Sequence, residues 1–162
     1  MFPIMTRHKT VSIKELYPVI EKMLVSNQSV RLAVKGNSMY PLLRSNTDWV
    51  VLTKKHKPSK YDILFYKRDN GEYILHRAVR KKNNCFYMAG DNETTVEYPV
   101  YEQQILASVE SFYRNGRQYS CNSFLYRLYS LLWVLLLPFR HHIINVFKML
   151  KCVFANKRRI LM

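Results

Sequence analysis

The stretch YDILFYKRDNGEYILHRAVR, residues 61–80, decides the fold. Its two halves, YDILFYK (61–67) and EYILHRAVR (72–80), are rich in β-branched and aromatic side chains, which suit a pleated, half-buried surface. Between them stands Arg68-Asp69-Asn70-Gly71, and Asn-Gly between two such runs is the strongest short-range hairpin signal. Working outward, Lys81–Asn84 makes a second turn into CFYMAG (85–90). Upstream, SVRLAVK (29–35) alternates with Val30, Leu32 and Val34 on one side, and DWVVLTK (48–54) is another strand. QILASVESFYR (104–114) is the last. Residues 29–114 are therefore expected to form a nearly all-β domain.

The flanks read differently. SIKELYPVIEKMLVS (12–26) predicts a helix, with Ser12 as cap, Glu15 three residues on, and Leu16, Ile20, Met23 and Leu24 on one face. Pro18 requires the helix to kink or to begin there. From residue 124 to 139 the chain is apolar except for Arg127 and Ser130. Its uninterrupted run, Leu131–Leu137, falls far short of the ~20 residues that span a bilayer. Pro138 breaks it, and RHHIINVFKMLKCVF (140–154) is amphipathic. The expected organisation is an N-terminal helical segment (1–28), a β domain (29–114) and a basic, aromatic helical tail (120–162).

The chain has 162 residues, and 26 Lys and Arg against 11 Asp and Glu give a net charge of +15. A content of 48% apolar residues with only 4 Gly and 6 Pro excludes a disordered or collagen-like chain. Every acid lies at or before Glu110, so residues 111–162 carry nine Lys and Arg and no acid. This tail, with its Tyr residues and Trp133, is expected to meet an anionic membrane surface through residues 124–159, with internal packing on the β body as the rival reading and nucleic acid disfavoured. Cys85, Cys121 and Cys152 are odd in number and widely spaced, which indicates neither a disulfide framework nor a zinc site and fits a reducing compartment. Residues 1–27 contain no apolar run of a secretory leader, so a cytoplasmic location, free or at the cytoplasmic face of a membrane, is expected.

Three short motifs carry chemistry: Gly36-Asn37-Ser38-Met39-Tyr40-Pro41 after the first strand, Leu75-His76-Arg77 within the hairpin, and Ala89-Gly90-Asp91-Asn92 at the end of the next strand. They supply a hydroxyl, an imidazole and a carboxylate. A serine hydroxyl is a poor nucleophile until a base takes its proton, and a histidine needs a partner to fix its tautomer. Backbone N–H groups around Gly36–Ser38 are candidate oxyanion donors, with Asn37 as a side-chain candidate. Met39 is expected to fill an apolar pocket, and Arg77 to be a structural or substrate-side cation. Asp48 and Asp62 read as structural, and His8, His56, His141 and His142 as solvated or interfacial.

The box Gly-x-Ser-Met-x-Pro resembles the nucleophile segment of the signal peptidase and LexA-type (S24/S26) peptidase superfamily. Asp48-Trp49-Val50-Val51-Leu52 resembles the strand that follows it, although Thr47 stands where a Gly is usual. Ile74-Leu75-His76-Arg77 occupies the place of the general base. That base is a lysine in bacterial signal peptidases and LexA-like proteins, and a histidine in the endoplasmic-reticulum and spore-forming type. Met88-Ala89-Gly90-Asp91-Asn92 resembles the Gly-Asp-Asn segment of the histidine type. The chain is also similar to small bacterial S24/S26 peptidases that lack an N-terminal anchor.

The resemblance covers residues 29–113 and implies a mainly β, coiled-sheet fold of the LexA and signal-peptidase kind, with a helix before it and a helical tail. It implies a serine endopeptidase with Ser38 as nucleophile, His76 as base and Asp91 as orienter. Gly36, Asn37, Met39 and Pro41 would serve the oxyanion and substrate, and neither metal nor organic cofactor is required. The substrate would be a peptide or protein, extended against a strand edge, with small residues flanking the cut. Two alternatives stand beside it. One is a LexA-like self-cleaving regulator, although no Ala-Gly or Cys-Gly precedes Gly36. The other is a non-catalytic basic module that binds membrane or nucleic acid on a peptidase fold.

Overall fold

A computed structural model describes residues 11–54, 57–140, 142–146 and 149. It is mainly β: eight antiparallel strands form one open sheet among the described residues, with helical segments before and after it. Helix α1 spans Ile13–Val25, and the Ser12 hydroxyl accepts from the Glu15 N–H at 3.3 Å. Pro18 lies inside this helix without ending it. The strands are β1 (Val30–Ala33), β2 (Trp49–Thr53), β3 (Ile63–Lys67), β4 (Tyr73–Lys82), β5 (Cys85–Ala89), β6 (Glu97–Tyr101), β7 (Ile105–Arg114) and β8 (Arg117–Ser120). Their order is β1-β2-β7-β3-β4-β5-β6, with β8 paired to β7 off this path.

The 61–80 hairpin is β3 paired with β4, in the register Ile63↔Arg77 to Lys67↔Tyr73. Its turn is longer than the two-residue form. Arg68 and Glu72 pair through the backbone, and Gly71 supplies the left-handed residue at φ +81°. Strand β3 is the middle of the molecule. Ile63 and Phe65 enter a large core shared with α1, β1, β2 and β7, while Leu64 and Tyr66 enter a second core with Phe86, Met88 and Val100. Burial on both faces is why ILFY reads as a continuous apolar run.

Two strands were not expected. The segment forming β6 contains Pro99, which argues against an interior strand, but β6 is the edge of the sheet, where a missing N–H is tolerated. All four residues of β8 are exposed, so it carries no apolar alternation. A tight turn at Asn115-Gly116, with φ of +51° and +73°, folds it back on β7.

Helix α2 spans Phe124–Leu135, capped by the Ser123 hydroxyl, and a 3-10 turn at Leu137–Phe139 accommodates Pro138. Residues 142–146 are again helical. One face of α2 packs on the β body through Tyr126, Ser130 and Trp133. Among the described residues no helix is long and apolar enough to cross a membrane. Apart from Met149, the expected amphipathic stretch beyond 146 falls outside the described residues, as do His8, His56 and His141.

Candidate active site

Ser38 stands in the loop that joins β1 to β2 and returns to its start. Asp48 closes the loop. Its backbone carbonyl accepts from the Val34 N–H at 3.0 Å, and its carboxylate accepts from the Arg44 N–H at 2.9 Å and the Arg44 guanidinium at 2.7 Å. Burial alone would raise the Asp48 carboxyl, but these Arg44 hydrogen bonds bring it below the ordinary value. Met39, 2% exposed, plugs the large core and pins the segment from beneath. Arg114 of β7 donates to the carbonyls of Pro41 and Leu42. The backbone at Gly36 has φ +81°, a conformation that disfavours any side chain.

This geometry revises the expected oxyanion donors. The Gly36 N–H already donates to the Ser45 hydroxyl at 3.1 Å. Among the described residues nothing engages the N–H groups of Asn37 and Ser38. Neither Asn37 nor Pro41 lines the cleft described below, whereas Gly36, Ser38 and Met39 do. Pro41 contributes its carbonyl to the Arg114 anchor instead.

His76 lies on β4 opposite Leu64 and is buried, 4% exposed. Its Nδ1 is 3.4 Å from the Tyr66 hydroxyl, which donates to Glu97 Oε2 at 2.6 Å. Glu97 is held by Arg68, whose Nη2 reaches Oε2 at 2.7 Å. Burial, reinforced by Glu97, pushes the Tyr66 phenol far above its usual range, so it stays protonated. With its proton committed to Glu97, the phenol oxygen is an acceptor toward His76 Nδ1. On the other side, Nε2 lies 3.5 Å from Glu93 Oε2. Desolvation lowers the His76 pKa below the ordinary 6.5, and the Glu93 carboxylate opposes that shift.

Asp91 is not the carboxylate on His76. Both of its oxygens bind Arg77, from Nε and Nη2, at 2.8 Å each, and both side chains are completely buried. Adjacent residues on β4 point to opposite faces, so the Arg77 side chain leaves the strand on the face opposite the imidazole, and Asp91 acts on His76 only as a lesser charge behind Glu93 and Glu97. Arg77 also donates to the Ser130 hydroxyl at 2.7 Å and the Tyr126 hydroxyl at 3.2 Å on α2. The carboxylates around the imidazole, Glu93 directly and Glu97 through Tyr66, escaped the sequence reading because no short motif marks them. The Glu directly after Gly90-Asp91-Asn92 was the available signal.

Gly90 explains how the loop after β5 reaches Ser38. A Cβ at Gly90 would stand 2.6 Å from the Ser38 carbonyl oxygen, and the next turn donates the Asn92 N–H to that same oxygen at 2.7 Å. Ser38, His76 and Glu93 thereby line one cleft of about 690 Å³. Among the described residues no hydrogen bond joins Ser38 to His76. The cleft walls are residues 31–36 on one side and 73–76 on the other. Strand β1 pairs only with β2, and β5 joins β4 only from Arg77 onward, so both walls present strand edges without a second ladder partner among the described residues. No group of three or more His, Cys, Asp or Glu among them is placed to hold a metal ion.

Comparison with known proteins agrees with this architecture. The LexA repressor of Brevibacillus brevis is 26% identical over 102 residues, which are 63% of this chain and 49% of the repressor. The chain thus spans about half the length of that relative. A family model, Peptidase S24-like, matches residues 3–109, which takes in β1 to β6 with the serine loop, His76 and the Gly90–Glu93 turn. By this match the chain belongs to the S24-like peptidase family.

Proposed function

We propose that the protein is a serine endopeptidase in which Ser38 is the nucleophile and His76 the general base. The observation that carries this reading is the shared cleft: a half-exposed serine and a buried imidazole of lowered pKa face the same 690 Å³ space between two open strand edges. An extended peptide can add to either edge through main-chain hydrogen bonds, which leaves alternate side chains to the apolar walls.

The Ser38 Oγ forms a bond to the scissile carbonyl carbon while its proton passes to His76 Nε2. The carbonyl electrons move to the oxygen, which the N–H groups of Asn37 and Ser38 are free to receive. Collapse of this intermediate breaks the C–N bond, and His76 returns the proton to the leaving amine. Water then cleaves the acyl ester by the same path. The imidazole must carry its resting proton on Nδ1, and the Tyr66 oxygen, polarised by Glu97, selects that tautomer. Glu93 stabilises the imidazolium. In this reading the Glu97–Tyr66 pair orients His76, and Asp91 acts on structure.

The test is turnover of a random peptide library read by mass spectrometry, with Ser38→Ala and His76→Ala beside the native chain. Either variant is expected to lose a factor of roughly 10⁴ in turnover while remaining folded. Undiminished cleavage by Ser38→Ala would overturn the assignment. The repressor likeness favours one second reading, cleavage of the protein's own chain. First-order, concentration-independent self-cleavage with no turnover of added peptides would establish that reading instead.

A further inference from the structure

Helix α2 has two unlike faces. Its inner face holds the site in place. Ser130 and Tyr126 accept from Arg77, the Trp133 indole N–H donates to the Asp91 carbonyl at 3.2 Å, and the buried Arg140 beyond it donates to the carbonyl of Gly90 at 2.9 Å. These bonds clamp the turn that touches Ser38 and carries Glu93. The outer face bears Phe124, Leu125, Leu128, Leu131, Leu132 and Leu135, all exposed, with Phe124 and Leu125 at 78% and 77%. Their spacing places them on one continuous stripe about 18 Å long. Scattered exposed leucines need no explanation, but a contiguous stripe of this size marks an interaction site.

The charge of the surrounding chain selects the partner. Arg127 lies on α2 itself, Arg117 precedes the helix in the chain, and the sequence that follows it contains Lys148, Lys151, Lys157, Arg158 and Arg159. From residue 111 to the C-terminus there is no acid. A second copy docked on this face would set one cationic segment against another, whereas an anionic lipid surface attracts it. The helix is too short to cross a bilayer, and a short apolar face with cationic flanks suits an in-plane position. We propose that the outer face of α2 lies in the headgroup region of an anionic bilayer, which fixes the Ser38–His76 cleft at the membrane surface. This docking goes beyond the peptidase reading and does not depend on it.

The experiment uses the full chain and sedimentation with vesicles of phosphatidylcholine, with and without phosphatidylglycerol. The native protein is expected to pellet with the phosphatidylglycerol vesicles, to bind pure phosphatidylcholine at least about tenfold more weakly, and to be partly released by salt. Leu125→Glu with Leu132→Glu is expected to reduce partitioning at least about tenfold, because it removes apolar area from the stripe and adds like charge to the lipid. Circular dichroism checks that the variant is folded. The milder Leu125→Gln should give an intermediate loss. Equal binding by native and doubly substituted protein would overturn the proposal, since charge alone would then account for it. A native protein indifferent to both vesicles would also overturn it. Native dimerisation in analytical ultracentrifugation, abolished by the same pair and accompanied by no vesicle binding, would assign the face to a second copy.

Discussion

Tyr66 stands between Glu97 and His76, with its hydroxyl 2.6 Å from the Glu97 carboxylate and 3.4 Å from His76 Nδ1. A phenol whose O–H is engaged in donating to a carboxylate can only accept from the imidazole. The position an acid would fill beside the proposed base is thus filled by an acid acting through a ring. Tyr66 is itself completely buried, so the relay is fixed by packing as well as by hydrogen bonds.

Tyr66→Phe is expected to keep the core volume and the Arg68–Glu97 pair while releasing the imidazole tautomer. Turnover should fall by about tenfold or more, part of the ~10²–10⁴ that a positioned base contributes. The Michaelis constant should change little, because the phenol touches no substrate. Steady-state kinetics on a cleaved peptide check this, and an unchanged turnover would remove Tyr66 from the mechanism.

Asp91→Asn tests the other carboxylate. It leaves Arg77 buried without a counter-charge, an arrangement that costs about 3–5 kcal/mol. Urea unfolding should show that loss, while turnover per folded molecule should fall much less than with His76→Ala. The paired change Arg77→Met with Asp91→Leu should recover much of the stability, as replacing both members of a buried pair by apolar groups often does. A turnover defect in Asp91→Asn as deep as in His76→Ala, without loss of stability, would return Asp91 to the role of orienter.

The β body was legible because its apolar runs and turn residues agree. Each expected strand from 29 to 114 is present, most with boundaries trimmed by a residue or two, whereas β4 runs on to Lys82, into the expected turn. What was missed lies where local sequence carries little information. Strand β6 hides behind Pro99 at a sheet edge, and β8 is polar throughout, although Asn115-Gly116 announced its turn. At the site, the family resemblance pointed to the motifs that would come together but not to the face each side chain takes. His76 and Arg77 are neighbours on a strand, so the Gly-Asp-Asn turn can serve only one of them with Asp91, and the alternation of the strand gave it to Arg77. The tail posed a choice between membrane and internal packing. The structure gives α2 an inner face that packs, and leaves the outer one exposed.

The pH dependence follows from the burial of His76. The base works only when neutral, and desolvation holds its pKa below 6.5. The rate should therefore rise with pH through a midpoint below that value and be flat by neutrality. Glu93 is the foremost of the carboxylates that oppose the shift, ahead of Glu97 and Asp91, so Glu93→Gln should move the midpoint lower still. The same change should reduce the plateau, because the imidazolium formed in the first step loses its nearest counter-charge. A midpoint that moves upward in Glu93→Gln would show that Glu93 does not act on His76 electrostatically.

Gly90→Ala probes the contact between the turn and the nucleophile. The added methyl would meet the Ser38 carbonyl oxygen at 2.6 Å, well inside van der Waals contact, and this nearest obstacle is backbone; the Glu93 carboxylate, at 3.0 Å, would be crowded as well. The turn cannot recede freely, because Arg140 and Trp133 hold the Gly90 and Asp91 carbonyls from the other side. The displacement should therefore fall on Ser38 and on the Asn92 hydrogen bond to it. A shift of even about 1 Å in a reacting group can cost a factor of about 10² in rate. Turnover should drop by that order, with a stability loss of about 1–3 kcal/mol, as for overpacking elsewhere. Gly36→Ala is the control for backbone strain without a clash, since nothing lies within 4 Å of the added methyl there and only the φ of +81° opposes it. If Gly90→Ala retains native turnover, the Gly90–Glu93 turn does not position the nucleophile, and its glycine answers to folding alone.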